Sequence, residues 1–105
     1  MGMEITEDEG EYDLSLPCGD LPVDDAIRAA GHEPNGYFWE RVAAFLSPDV
    51  ATAVEFDSEG DMFVAYADKA GPLEQLKPVL EPLTTDPTRL TTVIADAHAA
   101  GHDLD

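Results

Sequence analysis

Residues 32–46, HEPNGYFWERVAAFL, join a tight turn to the only run of three consecutive aromatic residues in the chain. Pro34, Asn35 and Gly36 have the chemistry of a turn, because proline restricts φ and an Asn-Gly pair adopts positive φ at low cost. The residues that follow have the apolar spacing of an amphipathic helix. We therefore expect a helix that begins at Gly36 or Tyr37 and packs on the core of the fold.

A helical wheel divides this helix into an inward arc and an outward arc, at about 100° per residue. The residues predicted to be structural are Gly36, Phe38, Trp39, Val42, Phe45 and Leu46. Tyr37 falls on the outward arc beside the turn, and exposed aromatic residues are favoured as interface anchors. The candidate partner-binding residues are Glu33 and Asn35 in the turn, with Tyr37, Glu40 and Arg41 on the outward arc.

The length and composition predict one globular domain. The chain has 105 residues, of which 44% are hydrophobic, and no apolar run approaches the roughly 20 residues needed to span a membrane. The first residues are acidic, whereas a secretory signal would be basic and then apolar. A single cysteine, Cys18, excludes an internal disulfide framework. We expect a cytoplasmic protein that acts as a monomer and does not contact membranes.

Acidity is the strongest feature of the composition. Asp and Glu number 23 against 5 Lys and Arg, which gives a formal net charge of -18. The basic residues are scattered singly, whereas proteins that bind phosphate backbones cluster them, so nucleic acid is excluded as a ligand. A partner with a basic contact surface is the natural complement. Adaptation to solubility or to a saline cytoplasm explains the same charge equally well.

The order of predicted elements indicates an α+β fold. Residues 1–11 carry a run of like charges and are expected to form a disordered arm, followed by a single domain over residues 12–105. That domain contains a strand over 12–16, a helix over 22–30 capped by Asp20, and strands over 52–56 and 62–66. A helix after Pro72 is expected to kink at Pro78 or to break there into two short pieces, the second of which ends at Pro82. A last helix is expected to run from an Asp86 cap to Gly101.

These elements predict a small, mostly antiparallel sheet covered on one side by helices. For the strand over residues 62–66, the alternation leaves open whether Phe63 and Ala65 or their neighbours face the core.

Catalytic and metal-binding patterns are weak. His98 and His102 are four residues apart, but Gly101 is expected to end the helix between them, so the spacing does not predict a metal site. His32 with Glu33 and Glu40 resembles an acid/base group, yet no nucleophile, base and oxyanion arrangement accompanies it. We therefore expect no catalytic residues, no metal and no cofactor.

Two stretches carry a resemblance to a known family. Gly36, Tyr37 and Trp39 form a Gly-Tyr-x-Trp pattern after His-Glu-Pro-Asn, and residues 54–66 read VEFDSEGDMFVAY. In these stretches the chain resembles the bacterial immunity proteins classed as immunity protein family fifty-one, which are found beside polymorphic toxins. The resemblance implies a cytosolic protein that binds and neutralises a cognate toxin and has no catalysis of its own.

Two other functions remain open at this point. One is an acidic mimic of nucleic acid, or an adaptor, that binds another basic protein. The other is a small enzyme whose site has no recognisable pattern. A toxin gene beside this one would favour immunity, whereas a neighbouring gene for a DNA-binding protein would favour mimicry.

Overall fold

The computed structural model describes residues 2–104, so Met1, in the predicted arm, and Asp105, at the predicted domain end, lie outside the described residues. The strands are β1 (Glu4–Asp8), β2 (Glu11–Pro17), β3 (Glu55–Phe56) and β4 (Met62–Ala67). The helices are α1 (Asp24–Ala29), α2 (Gly36–Leu46), α3 (Pro48–Ala51), α4 (Ala70–Leu80) and α5 (Pro87–Ala99), with a 3-10 helix over Glu81–Thr84 between α4 and α5. The predicted α+β class is confirmed.

The four strands form one antiparallel sheet in the order β1-β2-β4-β3. Leu14 of β2 lies opposite Ala65 of β4, and Leu16 lies opposite Phe63. All four side chains are buried under helices, with α4 contacting both central strands and α2 contacting β4. This register settles the question left open by alternation, because Phe63 and Ala65 point into the core.

Residues 4–8 correct the prediction of a disordered arm, because they form β1 at the edge of the sheet. Ile5 pairs with Leu14, and Met3 just ahead is only 2% exposed. The turn to β2 has positive φ at both Glu9 (53°) and Gly10 (85°), which is the geometry of a two-residue hairpin. Two apolar residues, Met3 and Ile5, lie two positions apart at the start of the acidic run and pack on the core, which is sufficient to hold an edge strand.

Several predicted boundaries shift for local reasons. Asp20 does not cap α1, which begins later at Asp24 after the N-cap residue Val23. Pro48 ends α2 as expected but then begins the four-residue helix α3. The strand predicted over residues 52–56 is reduced to Glu55–Phe56, because α3 and the turn after it occupy the preceding positions.

Helix α4 continues through Pro78 to Leu80, so of the two alternatives predicted at Pro78, a kink or a break, the break is wrong. Leu73, Leu76 and Leu80 are fully buried on one side of the helix, while Pro78 lies on the exposed side. Packing of the leucines therefore holds the helix together although Pro78 cannot donate a hydrogen bond to the Glu74 carbonyl. The chain tightens into the 3-10 helix only after Leu80.

Helix α5 follows its sequence signals closely. The Asp86 side chain accepts a hydrogen bond from the Arg89 backbone N–H at 3.2 Å, and Gly101 stops the helix with a φ of 73°. The Cα radius of gyration is 12.9 Å, close to the value of about 13 Å expected for a compact domain of 100 residues. The helices and the sheet therefore form one domain with one core.

Candidate partner-binding site

The turn before α2 is tied to the loop between β3 and β4. The Asn35 side chain accepts a hydrogen bond from the Phe38 backbone N–H at 2.9 Å and so caps the helix. The Gly36 backbone N–H donates to the Glu59 carbonyl at 3.2 Å. A Cβ at Gly36 would lie 2.2 Å from the Met62 carbonyl oxygen, so only glycine fits. Asn35 and Gly36 therefore orient the first turn of α2 and the residues it displays.

Tyr37 projects from this fixed turn. It is 47% exposed and is the exposed large hydrophobic residue among residues 2–104. Its ring lies at a shallow hollow of about 450 Å³. The hollow is lined by Glu33, Asn35, Tyr37, Phe38, Arg41 and Leu104. Four of the five candidate partner-binding residues are thus brought together, and Leu104 joins them from a distant part of the sequence.

Glu40, the fifth candidate, lies outside the hollow. Its carboxylate accepts a hydrogen bond from the Ser58 backbone N–H at 3.2 Å. Ser58 Oγ in turn accepts from the Val64 backbone N–H at 3.0 Å. Glu40 therefore links α2 to the loop before β4, a structural role that the helical wheel does not reveal.

The inward arc of α2 is packed against the core. Phe38, Trp39 and Val42 are buried, while Phe45 and Leu46 are half-buried. The Phe38 and Trp39 rings meet edge to face, with centroids 5.5 Å apart and an interplanar angle of 88°. The indole Nε1 of Trp39 is buried without a hydrogen-bond partner in the described part of the chain.

The histidines form contacts across the fold. The Nε2 atoms of His32 and His98 lie 2.9 Å apart, and His102 Nε2 lies 3.0 Å from the Arg41 carbonyl oxygen. His98 and His102 thus have different neighbours although they are close in sequence. Within residues 2–104 no group of three or more His, Cys, Asp or Glu side chains is placed to hold a metal ion.

Two titratable groups lie near the start of α1, Cys18, which is half-buried, and Asp24, which is buried. Burial raises the pKa of the Cys18 thiol to about 11, so the thiol stays protonated and is a poor nucleophile at neutral pH. Burial also raises the pKa of Asp24, whose Oδ2 accepts a hydrogen bond from the Leu21 backbone N–H at 3.3 Å. Both groups belong to the packing of the loop before α1.

Sequence reasoning missed a second surface, on the face of the sheet that no helix of residues 2–104 covers. Tyr66 and Val64 of β4 lie on this face, and Tyr66 is paired with an acidic residue of each neighbouring strand, Asp13 and Glu55. The signal was the alternation of side chains along β2 and β4, which can be interpreted only when the core face is known.

Within residues 2–104, no helix is long and apolar enough to cross a membrane.

Comparison with known proteins identifies the family. The family model described as Immunity protein 51 matches residues 3–99. No curated protein and no solved structure gives a match. The match extends from the residue before β1 to the last residue of α5 and includes the Gly36, Tyr37 and Trp39 pattern. The chain therefore belongs to the Immunity protein 51 family.

Proposed function

We propose that this protein binds a cognate toxin of a polymorphic toxin system and neutralises it by covering its active site. The observation that carries the proposal is the family match over residues 3–99, because an immunity protein requires a toxin as its partner. The protein acts as a single copy in the cytoplasm and catalyses no reaction itself. Inhibition is then stoichiometric, with one immunity protein consumed for each toxin.

The hollow beside α2 supports this proposal as a contact surface. Tyr37 offers an exposed aromatic ring on a helix whose start is held rigidly by Asn35 and Gly36. Rigid aromatic residues lose little conformational entropy when they bind, so they serve well as anchors. Glu33 and Arg41 at the edge of the hollow supply charges of both signs.

Co-expression with the toxin encoded by the adjacent gene tests the function. Expression of the toxin domain alone should stop growth, and this protein should restore it, whereas an Immunity protein 51 member from an unrelated locus serves as the matched control. Toxin that kills equally with and without the protein would contradict the proposal.

A titration of purified toxin separates binding from catalysis. Binding predicts that toxin activity falls linearly and reaches its minimum at a ratio of one to one. Complete loss of toxin activity at a small fraction of that ratio would show turnover and would contradict the non-catalytic part of the proposal.

A further inference from the structure

The uncovered face of the sheet has an ordered arrangement of side chains that follows from the strand register. One row crosses all four strands and consists of Thr6, Asp13, Tyr66 and Glu55. The Thr6 hydroxyl donates a hydrogen bond to Asp13. Tyr66 lies opposite Asp13 on one side and Glu55 on the other in the strand register. Tyr66 therefore stands near the middle of the face, with a neighbouring strand on each side.

The charges on this face all have one sign. Its strand carboxylates belong to Glu4, Asp8, Glu11, Asp13 and Glu55. The four strands contain no Lys or Arg. The five basic residues, Arg28, Arg41, Lys69, Lys77 and Arg89, lie instead on the helices or, for Lys69, at the start of α4. The protein thus has an acidic sheet face and a helical layer of mixed charge.

This separation of charge opposes folding. Asp8 lies directly opposite Glu11 in the β1 and β2 pairing, and like charges in that position destabilise a sheet. Solubility alone is served by interspersed charges of both signs, which would avoid this repulsion. The acidic face therefore has a cost to the folded protein that complementary charge on a partner would remove.

The face also has an apolar centre. Val64 and Tyr66 are partly exposed and line a hollow of about 400 Å³. The carboxylates at its rim belong to Asp8, Glu11, Asp13 and Asp57. An apolar or aromatic centre inside a polar rim is the usual composition of a protein interface.

We propose that the uncovered sheet face is a docking surface for a Lys- and Arg-rich surface of the toxin, with Tyr66 as its central contact. This inference rests on the proposed function, which supplies the toxin as the partner. It adds the surface of this protein that contacts the toxin and the charges that attract it. The acidic rim speeds the encounter, and the Tyr66 ring and Val64 slow dissociation once the charges are paired. The surface is additional to the Tyr37 hollow.

Two triple variants of equal net charge test this surface. Glu4→Gln/Glu11→Gln/Glu55→Gln removes three exposed carboxylates from the sheet face, and Asp49→Asn/Glu74→Gln/Asp96→Asn removes three exposed carboxylates from the helical layer. Association with a catalytically inactive form of the toxin encoded by the adjacent gene is measured at low and at physiological ionic strength.

The sheet-face variant should associate about tenfold more slowly at low salt and lose most of the salt dependence, because rim charges act on the association rate. The helical-layer variant should change by less than about twofold. Equal slowing by both variants would mean that only net charge matters, and no slowing by either would equally overturn the docking surface.

Tyr66 is tested separately through dissociation. Tyr66→Ala should accelerate dissociation about tenfold or more, whereas Tyr66→Phe, which keeps the ring, should dissociate at a rate within about threefold of that of the original protein.

Thermal melts check that the variants fold. The sheet-face triple variant should have a melting temperature no lower than that of the original protein, because it relieves repulsion. Original protein that fails to bind the toxin overturns the proposed function, whereas binding unaffected by these variants overturns this docking surface alone.

Discussion

Tyr37 and Trp39 have opposite environments although they are two residues apart. Two steps along an α-helix turn the side chain by about 200°, so a residue next but one to a core residue faces away from the core. Trp39 is accordingly 0% exposed and Tyr37 is 47% exposed. The Gly-Tyr-x-Trp pattern therefore combines three roles in four residues: Gly36 fits closely against the loop before β4, Tyr37 faces outward and Trp39 faces the core.

Substitution of each aromatic by alanine should affect a different measurement. Trp39→Ala should lower the free energy of unfolding by about 3 to 5 kcal/mol, because it removes a fully buried aromatic side chain. Tyr37→Ala should leave thermal unfolding nearly unchanged and weaken toxin binding by about 2 kcal/mol. Thermal melts and binding titrations on both variants are the measurements. An equal fall in melting temperature for the two variants would place Tyr37 in the fold rather than at an interface.

Cys18 provides a pH-dependent test at the residue scale. Burial raises the pKa of its thiol from 9.0 to about 11, so the unfolded chain loses this proton at lower pH than the folded one. The contribution of Cys18 to stability should therefore be present below about pH 9 and be lost as pH rises toward about 11. Thermal melts of the original protein and of Cys18→Ala across that range measure it, since Tyr and Lys residues titrate in both.

The difference between the two melting curves isolates the thiol. We expect the melting temperature of the original protein to fall more steeply with pH than that of Cys18→Ala. Parallel curves would show that the thiol is accessible to water. Labelling by a thiol reagent at neutral pH should likewise be slow until the protein is unfolded in urea.

At the scale of elements, the contact between the start of α2 and the loop before β4 sets the position of the candidate hollow. Gly36 lies against the Met62 and Glu59 carbonyls. The Asn35 side chain accepts a hydrogen bond from the Phe38 backbone N–H, and the Glu40 carboxylate accepts one from the Ser58 backbone N–H. The loop before β4 therefore holds the first turn of α2 in place. Tyr37 and Arg41 keep their orientation only while this contact between the loop and the helix is intact.

Gly36→Ala should be strongly destabilising for this reason. The new Cβ would lie 2.2 Å and 2.5 Å from two backbone carbonyl oxygens, so the helix must move away from the loop. Overpacking of this kind typically costs about 1 to 3 kcal/mol and occasionally more. Gly71→Ala in α4 is the matched control, because nothing lies within 4 Å of its added Cβ. Chemical denaturation should show a loss for Gly36→Ala and a change between zero and a gain of about 1 kcal/mol for Gly71→Ala.

On the scale of the whole molecule, charge is the dominant property. A net charge of -18 on a domain with a Cα radius of gyration of 12.9 Å produces repulsion that favours expansion of the chain. On the sheet face, no basic strand residue offsets the repulsion between the carboxylates. The same field attracts a basic partner, so stability and association should respond to salt in opposite directions.

Sodium chloride should therefore stabilise the isolated protein while it slows association with the toxin. Screening shortens the range of charge interactions from about 30 Å at 0.01 M to about 8 Å at 0.15 M salt. Thermal melts over this range should shift upward by several degrees, and the shift should be smaller for the sheet-face triple variant. A melting temperature that falls with added salt would contradict net repulsion as the governing term.

The sequence determined by itself the elements whose signals are local. Helix α2 begins at Gly36 because turn residues precede a helical apolar stripe, and α5 runs from its Asp86 cap toward Gly101 for the same kind of reason. The candidates Glu33, Asn35, Tyr37 and Arg41 were predictable as neighbours because one turn and one helix carry them all. The α+β class and the excess of acidic residues were also readable without coordinates.

Only the tertiary structure decided features that depend on what covers a segment. β1 forms a strand because Ile5 and Met3 pack against the edge of a core that later residues form. Helix α4 continues through Pro78 because other elements bury its leucines. The Glu40 carboxylate accepts a hydrogen bond from the Ser58 backbone N–H, and Leu104 lines the hollow beside Tyr37. The spacing of residues in the sequence predicts neither contact. The acidic sheet face emerges for the same reason: strand alternation defines two faces, but burial by helices on one side chooses which of them remains exposed.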